Sequence, residues 1–536
     1  MLTIHDHQSG DLFDPWEHLG PQRRTLLEKS WAGVFRQYLL EHLPVTELAT
    51  SFCVTFGRPT KDLYAVLGAL ILQQLHDLTD AETVEAIALH RGWQYALDIR
   101  CESDAYVCER TLRNYRQRVI EKGLQGTLFR GLTDQLIKAF GIDTSRQRID
   151  STSIRSDMRA LTRLGILVET ISKFLRELAR KHPDLHKQVD EETIRLYVKR
   201  TGDSCFALSK PTESKHRLPE AAKKLYELVG LFRETPAADL YSYRLLARVL
   251  QEQCEVVINA VGQGEVHVRE PINVPCNAVH NPADPDSSYN AHHGHGYMAQ
   301  VVETYSEEET SGSKDIDPPS PNLISHVTVN DMTQQDWDAL EPALEDLAGR
   351  DIQPESMLAD THYGSEENVQ QARDQGVALI APAPPPKGYK QGRLTLEQFE
   401  LDEDGCVIRC PQGHAPIGTS IAAKRHEVRF DPDICGQCEQ RSQCPAYSTR
   451  AKAQKPRWQY THERVRTRCR RLCQQTESFK DRYRWRAGIE GTMSQLKRQM
   501  RLARLRIRGM AAVSYVVFLR ALGLNIRRVE AFVQAN

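Results

Sequence analysis

A chain of 536 residues is too long for one compact core, and a prior of about 150 residues per unit suggests three or four. With 40% hydrophobic and 26% charged residues, the composition is that of a globular chain and excludes a disordered or fibrous one. The formal net charge is −1, but Ala451 to Asn536 holds 21 Lys and Arg against 5 Asp and Glu, an asymmetry that points the C-terminal end at a polyanion.

In chain order, Asp62 to Leu78 and Ala81 to Leu97 place apolar residues at helical spacing, with Thr79 or Asp80 able to cap the second helix. Arg110 to Ile120 reads as a third, basic helix, suited to DNA contact. Arg148-Ile149-Asp150-Ser151-Thr152 reads as a strand entering a loop, and Asp157 to Leu250 as a long helical stretch. Strands are expected at Val256 to Ala260, Glu265 to Val268, Tyr297 to Thr304 and Leu323 to Val329, with an acidic, Ser- and Pro-rich loop at Ser306 to Pro321. A helix over Asp336 to Leu347, a strand at Ser356 to Ala359, a helix capped by Ser365 and a strand at Val377 to Ile380 follow, which together make a mixed α/β domain. Trp458 to Arg508 reads as strongly helical and basic. The expected organisation is a helical N-terminal region over 1–140, suited to DNA contact; an α/β core over 141–387 with a helical insertion at about 157–250; a Cys-rich insert over 388–455; and a basic helical end over 456–536 carrying Glu490. The longest apolar runs, Ala65 to Leu72 and Ala511 to Leu519, are far below the roughly 18 residues of a membrane span. The N-terminus shows no basic-then-apolar signal, so the cytoplasm is the expected compartment and no membrane partner is expected.

Tyr483, Arg486, Glu490 and Lys497 fall within roughly 60° of one another on a helix at about 100° per residue. One face then offers a phenol, a guanidinium, a carboxylate and an ammonium, which suits a carboxylate that holds a metal with cations for phosphates beside it. Asp150 closes a predicted strand, and Asp360 closes the apolar run Met357-Leu358-Ala359. Acids at strand ends in α/β folds stand where active sites form. Three carboxylates on separate elements, Asp150, Asp360 and Glu490, suit a pair of Mg²⁺ ions about 3.5–4 Å apart, one activating a nucleophile and the other stabilising the leaving oxygen of a phosphoryl displacement.

With these residues the chain resembles bacterial insertion-sequence transposases of the DDE class, in the group with a Tyr-x2-Arg-x3-Glu-x6-Lys signature. Arg148 to Thr152 looks like its first-Asp motif and Leu358-Ala359-Asp360-Thr361-His362-Tyr363-Gly364 like its second. The resemblance implies a ribonuclease H-like catalytic core, Mg²⁺ or Mn²⁺, cleavage and joining of DNA at element ends and target, a homodimer on paired ends, and DNA-backbone contacts from Tyr483, Arg486 and Lys497. The gap between Asp150 and Asp360 is wide and holds the helical insertion, and Asp143 or Asp157 are the alternatives for the first acid. A metal-dependent nuclease without strand transfer, or a catalytically inactive zinc-stabilised DNA-binding protein, are the competing readings.

In the Cys-rich insert, Cys410, Cys435, Cys438 and Cys444 have the spacing of a closed, zinc-ribbon-like structural Zn²⁺ site, with Cys406 or His414 as alternatives to Cys410. His292-His293-Gly294-His295 favours a β-turn over a metal site. The basic residues Arg498, Arg501, Arg504, Arg506 and Arg508 suit phosphate contacts, unless acids from the earlier chain neutralise them.

Overall fold

The computed structural model describes residues 2–5, 7, 14–201, 204–205, 211–258, 264–307, 320–386, 388–447 and 456–536. Most of the predicted Ser306 to Pro321 loop lies outside the described residues, as do 259–260 of the predicted Val256 to Ala260 strand and the end of the 388–455 insert.

Among the described residues the central sheet has seven strands, of which five form its body: Arg146–Ser156 (β1), Gly294–Thr304 (β2), Ile324–Asp331 (β3), Ser356–Leu358 (β4) and Ala378–Ile380 (β5), with the short Ser288–Asn290 on β2 and Arg504–Leu505 on β1. The five lie in the order β3-β2-β1-β4-β5, with β1 antiparallel to β2, β2 antiparallel to β3, and β4 and β5 parallel to β1. Every residue from Gly296 to Thr304 of β2 is buried, as expected for a central strand covered on both faces. Asp150 does not end its strand, as the sequence suggested, but lies in the middle of β1. The ladder to β4 stops at Arg148 opposite Leu358, whereas the ladder to β2 continues through Asp150 opposite Val301. The opening created by the short β4 is what leaves the Asp150 side chain accessible.

The N-terminal helices share the sheet's core. Leu63–His76 (α1), capped by Asp62, and Leu124–Ala139 (α2) pack on the buried C-terminal helix Met510–Ala535, which also covers β3. Asn525 on that helix accepts from the Ile324 N–H (2.8 Å) and donates to the Ile324 carbonyl (2.9 Å), so a buried polar side chain satisfies the strand's backbone. By length and composition alone this helix could cross a membrane, but two-thirds of its most apolar stretch is buried inside the protein. The stretch predicted as Ala81 to Leu97 is two helices, Asp80–Leu89 and Arg91–Ala96, broken at His90, whose ring caps the second.

The insertion has its own core, built from residues such as Leu167, Phe174, Leu225, Phe232 and Leu246. It extends past Leu250: the strands Cys254–Ile258 and Gly264–Val268 pair with each other, not with the central sheet, and lay Cys254, Val266 and Val268 on the helices. The Cys-rich insert likewise has its own small core of Phe399, Val407, Val428, Trp458 and Tyr460. Its sheet takes Arg457–Thr461 as a third strand, so Trp458 and Tyr460 are packed inside it and not displayed on a basic helix.

The His76 ring, at the end of α1, sits between Trp31 and Trp93. Burial foremost, then Arg527 and His90, lowers its pKa from 6.5 to about 4. The unfolded chain therefore binds a proton that the folded chain refuses, and the stability contribution is complete above pH 6.5 and is lost as pH falls towards 4. Thermal melts from about pH 7 to about pH 4.5 should show His76→Phe losing less Tm on acidification than the wild type; equal losses would refute the assignment.

Candidate active site

Each predicted acid is delivered by a different element. Asp150 comes from β1. Asp360 follows β4 by two residues, as Asp150 follows Arg148, the β-ladder partner of Leu358. The ladder stops at that pair, and Asp360 lies near enough to Asp150 for its charge to act on the Asp150 carboxyl. The chain then turns: the Asp360 carboxylate accepts the His362 N–H (2.8 Å), Tyr363 is buried, and Gly364 lies so close to the Pro382 carbonyl that a Cβ there would sit 2.0 Å from its oxygen. These contacts give the Asp-Thr-His-Tyr-Gly run a structural reason.

Glu490 comes from the C-terminal part, which is not the single helix expected over Trp458 to Arg508. Thr461 caps a helix at His462–Cys473, and Thr476 caps another at Glu477–Tyr483; a tight 3-10 turn at Arg484–Ala487 leads into Gly488–Arg498 (hereafter the Glu490 helix). Phe479, Tyr483 and Trp485 pack on Tyr305, Leu358 and Ile380, which lays this segment across the ends of β4 and β5. Arg486 closes the arrangement: its guanidinium donates to Asp150 (2.9 Å) and to Glu490 (3.1 Å).

The electrostatics follow. Burial pushes the Asp150 pKa up to about 6; Arg486 opposes the shift, and the nearby charges of Asp360 and Asp336 add to it. The pKa of the Tyr483 hydroxyl is raised chiefly by burial, against the pull of Arg486, with Asp360, Asp150 and Glu490 contributing. The charges of all three predicted acids therefore act on Tyr483. Asp150 is 16% exposed and Glu490 67%, so one carboxylate is set deep and the other stands at the rim. Lys497 lies two turns beyond Glu490 in the same helix. The alternatives to Asp150 have other work: Asp143 accepts the Ser145 N–H, and Asp157 pairs with Arg504. Arg501 pairs with Asp77, so part of the basic run is neutralised within the chain.

Residues 409–530 match the family model described as a transposase DDE domain, and residues 28–118 match one described as a transposase domain (DUF772). These two matches support an insertion-sequence DDE transposase. The DDE match spans Glu490 and Lys497, while Asp150 and Asp360 lie outside both matched stretches. No curated protein and no solved structure matches the chain.

Beside the candidate site, Asp336 and Glu303 have no motif of their own in the sequence, and Arg148 enters only as the first residue of the first-Asp run. Asp336, expected only as the start of a helix, faces Asp150 and accepts from Gln300 (3.0 Å), which in turn accepts from the buried Tyr363 hydroxyl. Arg148 and Glu303 form a buried ion pair (2.8 Å). Glu303 also accepts from Thr492 on the Glu490 helix and from Arg528, while Arg148 donates to the Trp485 carbonyl. Gly488 packs directly on this guanidinium, where a Cβ would sit 2.1 Å from Arg148 Nη1. The available signal is a charged residue inside an apolar strand, Met298-Ala299-Gln300-Val301-Val302-Glu303.

In the Cys-rich insert, the Cys410 N–H donates to the His414 carbonyl (3.0 Å) and the Gly413 N–H to the Cys410 carbonyl (2.8 Å), with Gly413 in the left-handed region (φ +81°). Burial foremost, then the neighbouring Cys444, Cys410 and Cys438, raises the Cys435 thiol to about 11. The four predicted thiols are therefore neighbours. Cys406 instead faces His426 (3.6 Å). Among the described residues, three candidate donors within 4.8 Å of one another occur at His5, His7 and Asp62; the thiols and the active-site acids are spaced more loosely.

Replacing one partner of a buried ion pair costs about 3–5 kcal/mol. Glu303→Gln should lose stability on that scale in urea unfolding, and a loss under about 1 kcal/mol would show that the network does not hold the Glu490 helix.

Proposed function

We propose that this transposase cuts DNA at the ends of its element and joins them to target DNA, with Asp150, Asp360 and Glu490 holding two Mg²⁺ or Mn²⁺ ions. The observation that carries the reading is the single guanidinium of Arg486 lying between Asp150 and Glu490, beside Asp360. Carboxylates that share one guanidinium suit a cation in its place, and the donor set is all oxygen, as hard divalent ions require. The strand order β3-β2-β1-β4-β5, with three antiparallel strands followed by two parallel ones, supports a ribonuclease H-like core. Bound ions would activate the attacking oxygen and stabilise the departing one.

The residues of this chain do the rest. With Asp150 on β1 and Asp360 just past the neighbouring β4, catalysis would be mostly positioning and charge stabilisation. Arg486, once ions occupy the acids, is free to turn to a DNA phosphate, with Tyr483 and Lys497 flanking the same strand. The Cys410, Cys435, Cys438 and Cys444 thiols would hold a structural Zn²⁺; the ion takes them as thiolates, and closing on it would draw the sulfurs to about 3.8 Å from one another. A homodimer would pair two ends.

The test is DNA flanking the chain's own gene, incubated with Mg²⁺ or with EDTA. The wild type should nick at the element boundary only with Mg²⁺ and should join pre-cut ends to a target. Asp150→Asn, Asp360→Asn and Glu490→Gln should each lower the rate by at least about 10³-fold while still binding the ends. An Asp150→Asn protein that nicks at the wild-type rate would refute the site; nicking without joining would favour a nuclease.

A further inference from the structure

The N-terminal segment carries a His-x-His pattern that the active site does not use. It runs beside the approach to α1: the Thr3 N–H donates to the Thr60 hydroxyl (2.8 Å) and the His5 N–H to the Asp62 carboxylate (2.9 Å). Alternate residues of an extended chain face the same side, and His5 and His7 both turn to Asp62. One donor atom from each of these three residues lies within 4.8 Å of the other two.

Two distances argue for an ion rather than for simple hydrogen bonds. His7 Nε2 stands 3.5 Å from Asp62 Oδ2, longer than the usual range of about 2.7–3.2 Å for an N–H···O bond. Two ligands each about 2.1 Å from one tetrahedral ion are about 3.4 Å apart. The other ring nitrogen, Nδ1, points at Asp98 Oδ2 (3.3 Å), the arrangement in which a metal-bound histidine donates its second N–H to a carboxylate. Asp98 is already compensated by Arg36 (2.6 Å) and Arg100 (2.5 Å), so it serves as that acceptor and not as a ligand. The side chains of His7 and Asp62 are 5% and 6% exposed, and His5 closes the group from the exposed side.

We propose that His5, His7 and Asp62 bind a divalent transition-metal ion, with zinc the best fit, that staples the N-terminal segment onto α1. Two imidazoles and one carboxylate suit zinc and its neighbours in the transition series rather than Mg²⁺, and leave a fourth position for water. His5 and His7 lie outside both matched stretches of chain, so the inference stands independently of the catalytic reading and of the cysteine site.

Full-length protein equilibrated with Zn²⁺ and freed of loosely bound ions gives the test by mass-spectrometric metal counting. The His5→Ala/His7→Ala double variant should hold one zinc per chain fewer than the wild type. In a Cys435→Ser/Cys438→Ser background, the remaining zinc should disappear when the two histidines are replaced. Asp98→Asn should keep the zinc but bind it about 10–100-fold more weakly. Equal zinc content with and without the two histidines would overturn the proposal and leave an imidazolium held between Asp62 and Asp98; unchanged affinity in Asp98→Asn would overturn the role given to Nδ1.

Discussion

Like charges at close range are the constraint around which this molecule is arranged. Asp150 lies on β1, Asp360 follows the neighbouring parallel β4, the charge of Asp336 acts on Asp150, and Arg486 joins Asp150 to Glu490 on a separate helix. Left alone, such a group would separate or take up protons. Burial foremost, with the charges of Asp360 and Asp336 adding to it, raises the Asp150 pKa, and the Arg486 guanidinium is lodged between Asp150 and Glu490.

What keeps the acids together is a second, deeper layer. Glu303 is wholly buried, yet carries Arg148, Arg528 and Thr492 at once. Through Arg148 it reaches the Trp485 carbonyl and the bare backbone at Gly488, so the turn that displays Arg486 and the helix that displays Glu490 are tied to β1 itself. A charge network is a costly thing to bury. Here it links β1, β2, the Glu490 helix and the C-terminal helix, which are far apart along the chain and which apolar contacts alone would locate less specifically. The C-terminal helix adds a further tie by packing on the N-terminal helices and on β3, so the N-terminal helices and the sheet form one body around one core.

Much of this was legible in the sequence, and the reasons are particular. Asp150, Asp360 and Glu490 could be picked out as candidates because each sits in a short run with its own spacing, and the capping residues Thr79 and Ser365 act where the pattern puts them. The strands at Met357 and Leu379 announce themselves by apolar runs between turns. Other features are hidden by the same local logic. A helical period over Trp458 to Arg508 conceals two threonine caps and a tight turn, because the turn is set by Arg148, on the first strand of the sheet. The sequence makes Asp150 a strand end, since nothing in its neighbours reveals that β4 stops early. The hairpin at Cys254–Ile258 and Gly264–Val268 has the same β-branched residues as the central strands; only packing assigns it to the insertion. Asp336 and Glu303 are invisible as site residues, because their partners are distant in sequence.

The most direct measurement is anomalous scattering from a crystal of the transposase soaked with Mn²⁺ in the presence of its end DNA. The account predicts two manganese peaks about 3.5–4 Å apart, bounded by Asp150, Asp360 and Glu490, with Arg486 withdrawn from between the acids. Ordered manganese bound elsewhere, with Arg486 still bridging Asp150 and Glu490 in a complex that cuts DNA, would contradict it.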